Sequence, residues 1–192
     1  MFEFLYSIDK AVFFFINHTI SNPILDWLMP FLTDLNKNKL AVAVVVILWL
    51  WLMIQGGKTG RTAGILLVLS IIVSDQFSSS VLKNLFSRLR PCHALQGVRL
   101  LVDCGSGFSF PSSHAVNNFA GATILSHYYH KYAWGWFSLA SLIALSRPYI
   151  GVHYPSDIAG GAAIGWACAT CLIAAWEFIE VRFIRKDVKA QQ

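Results

Sequence analysis

Charge is what this chain has least of. Only 13% of its 192 residues are Asp, Glu, Lys or Arg, about half the share usual in a soluble domain. Such a shortage excludes a disordered chain, which needs polar residues to stay solvated. Six prolines exclude a collagen-like fibre, and so low a charge excludes a coiled-coil one. What is abundant is apolar: 56% of residues are hydrophobic and the mean hydropathy is +0.55. A soluble domain of this size keeps too much of its surface in water to hide that much apolar area. One integral membrane domain covering residues 1–192 remains. Acids number 10 against 15 lysines and arginines, a formal net charge of +5. The bases do not lie along one soluble face, so no nucleic-acid partner is expected. An anionic head group or phosphate suits the surplus better.

Five apolar runs stand between short polar breaks, at 40–54, 62–82 (charged only at Asp75), 115–129, 133–145 and 158–176. An untilted crossing takes about 20 residues, so 133–145 must borrow from its flanks. No ten-residue alternation is present, which excludes a membrane barrel and leaves helices. The expected fold is therefore all-α, a polytopic bundle of five membrane helices. Gly160, Gly161, Ala162, Ala163, Gly165, Ala167 and Ala169 suit close helix packing in lipid. Residues 1–35 can be read as a sixth span or as interfacial helices, since Asp9, Lys10, Asn17 and His18 interrupt the run. Ser21-Asn22-Pro23 breaks that segment, and 24–35 reads as a further helix containing Pro30. No cleavable leader is expected, for want of a basic start and a small-residue cleavage site.

Two spans separate the loop at 83–113 from the loop at 146–157, so both face one side. The loop at 55–61, the tip at 130–132 and the C-terminal tail face the other. That second side carries Lys58, Arg61, Lys131, Arg182, Arg185, Lys186 and Lys189. The positive-inside rule places it, with the C-terminus, in the cytoplasm.

The outer loops carry more chemistry than connectors need. Lys83, Arg88, Arg90 and Arg99 fall within seventeen residues, beside His93 and His114, and the second loop adds Arg147, His153 and Asp157. Bases at span ends often only anchor the helix, but that leaves the histidines and the aspartate unexplained. Phe110-Pro111-Ser112-Ser113-His114 reads as a helix start with Ser112 or Ser113 at the cap, and a helix N-terminus attracts anions. Pro155 argues against one straight helix through His153 and Asp157, so Asp157 starts the last span. A carboxylate that close can accept from imidazole Nδ1–H and leave Nε2 free as nucleophile or base. Two imidazoles, one carboxylate and several cations make a phosphoryl-transfer set.

Lys83 and Arg90-Pro91, then Pro111-Ser112-Ser113-His114, then Ser146-Arg147 with His153 and Asp157, resemble the three-part signature of the type 2 phosphatidic acid phosphatase family. That family also includes vanadium haloperoxidases and bacterial acid phosphatases. Order and internal spacing agree in all three parts, and the resemblance runs closely over 83–157. Ser113 stands where the family has glycine; serine keeps the backbone N–H, so activity is expected to survive. The resemblance implies His153 as the nucleophile that forms a phosphohistidine, Asp157 as its orienting group and His114 as general acid. It implies Lys83, Arg90 and Arg147 as the phosphate clamp, joined by Ser112 and the backbone of Ser113. It implies no metal and no cofactor, and Asp103 is the only acid of the 83–113 loop, too few for a magnesium cage. With the clamp bases set aside, the outer side retains Lys37, Lys39, Arg88 and Arg99 against seven inner bases.

The expectation is a multi-pass lipid phosphate phosphatase of a bacterial cytoplasmic membrane, its site facing the periplasm or cell exterior. Its partners are the bilayer and a membrane lipid phosphate: undecaprenyl pyrophosphate, lipid A 1-phosphate, phosphatidylglycerophosphate or phosphatidic acid. Alternatives are a lipid phosphotransferase using the same site, or a non-catalytic anionic-lipid binder or transporter; the apolar spans argue against a soluble peroxidase. Asp75, Ser79 and Lys83 recur every four residues, which predicts one shared helix face with Asp75 as a buried partner of a base. Cys92 and Cys104 permit a disulfide, which stays open, whereas Cys168 and Cys171 read as packing residues within a span. His93, His127 and His130 are assigned no chemistry.

Overall fold

The structure, a computed structural model, describes residues 2–184; the basic tail residues Arg185, Lys186 and Lys189 lie outside the described residues. Among the described residues there are helices and no strands. In chain order they are α1 (Phe2–Phe14), α2 (Pro23–Thr33), α3 (Lys39–Gln55), α4 (Gly57–Gln76), α5 (Lys83–Phe86), α6 (Pro91–Ala94), α7 (Ser113–Tyr128), α8 (Ala133–Tyr149) and α9 (Pro155–Ile179). Each apolar run of the sequence lies on a helix. Among the described residues, two stretches are long and apolar enough to cross a membrane, Gly57–Ala94 and Pro155–Arg182, while Lys39–Gln55 is apolar but shorter.

Helix starts follow local chemistry. The Asn22 carboxamide accepts from the backbone N–H groups of Ile24 (3.1 Å) and Leu25 (3.0 Å), with Pro23 in the first turn, which starts α2 where the sequence break predicted. Asn38 does the same for α3. Between α4 and α5 the chain passes through a π-helical turn, Phe77–Leu82, which adds a residue to the turn and rotates everything after it. That turn interrupts the even spacing of Asp75, Ser79 and Lys83, yet Asp75 stays near enough to Lys83 for its charge to act on it. Asp75 also meets the Asn117 carboxamide on α7, whose Nδ2 lies 3.4 Å from its Oδ1.

The core runs between α4, α7 and α9, where Ala63, Leu66, Ala120, Ile124, Ala169 and Ile173 bury one another. Small residues let α7 and α9 approach closely, as the glycine-rich run suggested. A Cβ added to Gly161 would stand 2.9 Å from the Ser112 carbonyl oxygen and 2.8 Å from the Ala115 methyl. Helix α3 buries none of its residues; Val45, Ile47 and Trp51 are each more than 60% exposed. A face that apolar is what lipid contact requires and water opposes.

The N-terminal segment packs at the end of the bundle that carries the loop at 146–157. Asn17, fully buried, donates through Nδ2 to the carbonyls of Arg99 (2.8 Å) and Tyr149 (2.7 Å) and accepts from the Arg99 backbone N–H at 2.9 Å. On α2, Asp26 accepts from the Tyr149 hydroxyl at 2.5 Å and pairs with Arg99. Met29 and Leu32 join Tyr149, Ile150 and Val152 in a second apolar cluster beneath that loop.

Candidate active site

Three segments meet at this end: the chain from Lys83 to Arg90, the start of α7, and the turn joining α8 to α9. Ser87 takes a left-handed conformation (φ 45°) that ends α5 and sends Arg88 and Arg90 back across the bundle in extended chain. Gly151 (φ +93°) makes the corresponding turn after α8; a Cβ there would stand 2.8 Å from the Arg99 carbonyl, so the position needs glycine twice over. The turn delivers His153 into the interior, 2% exposed.

Asp157 enters α9 in its first turn and is fully buried. Its Oδ2 accepts from the Tyr154 backbone N–H (2.8 Å) and from the Ser109 hydroxyl (2.5 Å), and its Oδ1 accepts from Arg88 Nη1 (2.7 Å). His153 Nδ1 lies 3.4 Å from Ser109 Oγ and 3.5 Å from Asp157 Oδ2. The Ser109 proton is committed to the carboxylate, so both oxygens facing Nδ1 are acceptors. The ring therefore carries its proton on Nδ1 and leaves Nε2 bare. The expected His153–Asp157 pair is present, with Ser109 wedged beside it. Burial holds the His153 imidazole down to about 4, partly opposed by its bond to Asp157, so the ring is neutral at neutral pH.

The predicted clamp assembles around that ring. Arg90, 8% exposed, donates from Nη1 to the Cys104 carbonyl (2.6 Å) and from Nε to the Gly107 carbonyl (3.2 Å). Arg147, 9% exposed, donates from Nη1 to Thr33 Oγ1 at 2.6 Å. Lys83 is near enough to Arg90, Asp75, Arg147 and Asp157 for their charges to act on it. Ser112 caps α7 without a side-chain bond, while its backbone N–H donates to the Asp157 carbonyl (3.1 Å) and ties α7 to α9. His114 sits in the first turn of α7, its Nε2 3.1 Å from the Thr33 carbonyl. Three buried polar atoms here, Ser112 Oγ, Ser113 Oγ and Arg147 Nε, have no hydrogen-bond partner among the described residues. Buried polar atoms in folded proteins are normally paired, and three unpaired ones beside three cations form an arrangement that can accept an anion.

Sequence reasoning missed four contributors. Arg88 was counted as a topological base, yet it bridges two carboxylates: Nη1 to Asp157, and Nη2 to Asp9 Oδ2 on α1 at 2.6 Å. Its guanidinium lies 3.9 Å from the centre of the Tyr154 ring. Asp9 also accepts from the Ser156 backbone N–H at 2.9 Å. Ser109 and Thr33 complete the set. The one available signal was Arg88-Leu89-Arg90, two bases at the i, i+2 spacing of extended chain; nothing local marks Asp9 or Thr33.

Cys92 and Cys104 are joined in a disulfide. His93 lies beside them, but both sulfurs of this Cys-Cys-His group are committed to each other. Cys168 and Cys171 are free.

The chain is 33% identical over 177 residues to the lipid A 4'-phosphatase of Bacteroides thetaiotaomicron, covering 86% of this chain and 75% of that one. The crystal structure of Aquifex aeolicus LpxE superposes with a TM-score of 0.71 at 29% identity, over 86% of this chain and 94% of that one. A transmembrane PAP2-type phosphatidylglycerolphosphate phosphatase from Bacillus subtilis gives 0.69 at 26% identity, over 93% and 89%. The model of the PAP2 superfamily matches residues 63–180, the stretch that holds every helix of the bundle core and both site loops. That match, over more than half of the chain, and the identity to the Bacteroides enzyme show that the chain belongs to the PAP2 superfamily.

Proposed function

We propose that this protein is a membrane-embedded lipid phosphate phosphatase that works through a phosphohistidine and without a metal. One observation carries the reading: a buried neutral imidazole, its Nδ1 turned to Ser109 and Asp157, lies within a cluster of three cations and unpaired polar atoms. His153 Nε2 attacks phosphorus as the bond to the leaving oxygen breaks. His114 delivers the proton that the leaving alcohol or phosphate needs. Lys83, Arg90, Arg147, Ser112, Ser113 and the α7 N–H groups hold the charge that builds on the phosphoryl oxygens. Water then gives a proton to His114 and attacks phosphorus, the P–N bond breaks, and inorganic phosphate leaves. Asp157 stabilises the imidazolium character that His153 acquires. An acceptor other than water would turn the same intermediate toward phosphotransfer.

The site opens at helix ends, which suits a head group whose tails remain in the bilayer. We read α3, the rod from α4 to α5, α7, α8 and α9 as five spans. The site then faces the periplasm or exterior of a bacterial cytoplasmic membrane, with the C-terminus inside. Asp9, Asn17, Asp26 and Thr33 all contact the site-side loops, which supports an interfacial position for residues 1–35 over a sixth span. Undecaprenyl pyrophosphate, lipid A 1-phosphate, phosphatidylglycerophosphate and phosphatidic acid are the candidate substrates.

The test is phosphate release from purified lipid phosphates in detergent with EDTA present. Wild type is expected to turn over. His153→Ala abolishes release and removes the acid-labile, alkali-stable phosphoryl label that wild type carries, and His114→Ala lowers kcat by about 10²–10⁴. Loss of activity in EDTA overturns the metal-free mechanism, and a labelled His153→Ala protein overturns the nucleophile.

A further inference from the structure

Thr33 ends α2 and is buried where that helix meets the site. Met29, Leu32 and Thr33 share one face of the helix, and the first two are fixed against Tyr149, Ile150 and Val152. Thr33 touches two of the reaction's own groups. Its hydroxyl oxygen accepts from Arg147 Nη1 at 2.6 Å, the one hydrogen bond that this guanidinium makes among the described residues. Its carbonyl oxygen lies 3.1 Å from His114 Nε2. A carbonyl can only accept, so the proton of that bond belongs to Nε2. As the last residue of an 11-residue helix, Thr33 offers this carbonyl from the negative end of the helix dipole, a place that suits a cation. Asp34, next in the chain, is near enough for its charge to act on His114 and Arg147 alike.

We propose that Thr33 is a positioning residue for the reaction, its carbonyl fixing which nitrogen of His114 meets the leaving oxygen and its hydroxyl fixing the guanidinium of Arg147. This assignment rests on the phosphatase reading above. With Nε2–H spent on Thr33, Nδ1 is the nitrogen left to carry and release the catalytic proton. That proton passes from Nδ1 to the leaving oxygen as the P–O bond breaks, and the ring keeps Nε2–H and returns to its neutral form. While both nitrogens are protonated, the Thr33 carbonyl supports the imidazolium of His114 as Asp157 supports that of His153. On Arg147, committing Nη1 leaves the edge formed by Nε and Nη2 for two phosphoryl oxygens, and Nε is the atom buried without a partner. One residue of α2 thereby sets an acid that belongs to α7 and a clamp that belongs to α8.

The experiment pairs kinetics with a spectrum. Thr33→Val keeps the side chain's shape and the carbonyl but loses the hydroxyl. It is expected to raise KM for the lipid phosphate and the calorimetric Kd for inorganic phosphate about tenfold each, with kcat lowered far less. Thr33→Ser should return both to near the wild-type values. A residue that merely supports the fold would lower the Tm and the active fraction and leave that Kd alone. In the 15N spectrum of histidine-labelled wild type, with His114→Gln identifying the signal, neutral His114 is expected to carry its proton on Nε2. A Kd unmoved in Thr33→Val, a Thr33→Ser protein no better than Thr33→Val, or a neutral His114 protonated on Nδ1 overturns the proposal. If Thr33→Val does not fold, Thr33→Ala takes its place under the same criteria. Absence of phosphate release by wild type from all the candidate lipids overturns the phosphatase reading and this proposal with it, whereas the outcomes above overturn the proposal alone.

Discussion

His153 is neutral because it is buried, and that sets two pH dependences with one cause. Its folded value, about 4, lies below the ordinary imidazole value of 6.5. Between those limits the unfolded chain binds a proton that the folded chain refuses, so stability rises with pH across the window. The contribution is fully present above about 6.5 and is lost as pH falls toward 4, on the order of 3 kcal/mol at most. Thermal melts at pH 7.5 and 5.0 are expected to show a smaller acid destabilisation for His153→Gln than for wild type. For catalysis, the nucleophile's acid limb in kcat/KM should fall below pH 5.5; a limb at the ordinary imidazole value would contradict the buried geometry. At this scale the sequence was legible wherever spacing carried the information. His153 and Asp157 are four residues apart, and Ser112 and Ser113 directly precede His114. Ser109, Arg88, Asp9 and Thr33 reach the site through tertiary packing, which leaves no periodic trace in the chain.

Among the elements, the loop between α6 and α7 has the most to hold and the least helix to hold it with. Its disulfide closes a separation of 12 residues and fixes the Cys104 carbonyl on which Arg90 rests. Loop closure of that size is worth about 3 kcal/mol against the unfolded chain. Reduction is therefore expected to lower the Tm and to raise KM severalfold through Arg90. The matched variant Cys92→Ala/Cys104→Ala should do both without reductant; a KM that stays put would separate the bond from the clamp. The helices themselves were readable from apolar runs, the start of α7 from capping chemistry at Ser112 or Ser113, and that of α2 from the break at Ser21-Asn22-Pro23. The π-helical turn at Phe77–Leu82 was not, because no apolar period distinguishes one extra residue in a span exposed on most sides. Asp75 nevertheless remains within electrostatic reach of Lys83.

For the whole molecule, sidedness is the property with the most direct test. The site loops and residues 9–33 gather at one end, while Lys58–Glu180 and His127–Glu177 pair at the other. A cysteine placed at Gly97 should react with a membrane-impermeant maleimide in intact cells, in a chain whose Cys168 and Cys171 are changed to Ala. One placed at Lys131 should react only after permeabilisation, and the reverse pattern would invert the orientation. Composition made the membrane class legible, because apolar excess needs no fold to be counted. The seat of residues 1–35 was not legible, since amphipathic segments satisfy a span and an interface equally until their polar groups find partners.

Arg88 ties Asp9, near one end of the chain, to Asp157, near the other. During synthesis the first carboxylate is available as soon as Arg88 emerges, whereas the second arrives only after three further helices, α6, α7 and α8, have been made. The guanidinium is thus neutralised early, and the nucleophile's own carboxylate is added last. A chain stalled before α9 would hold the Arg88–Asp9 pair but lack both Asp157 and the helix to which the start of α7 is tied.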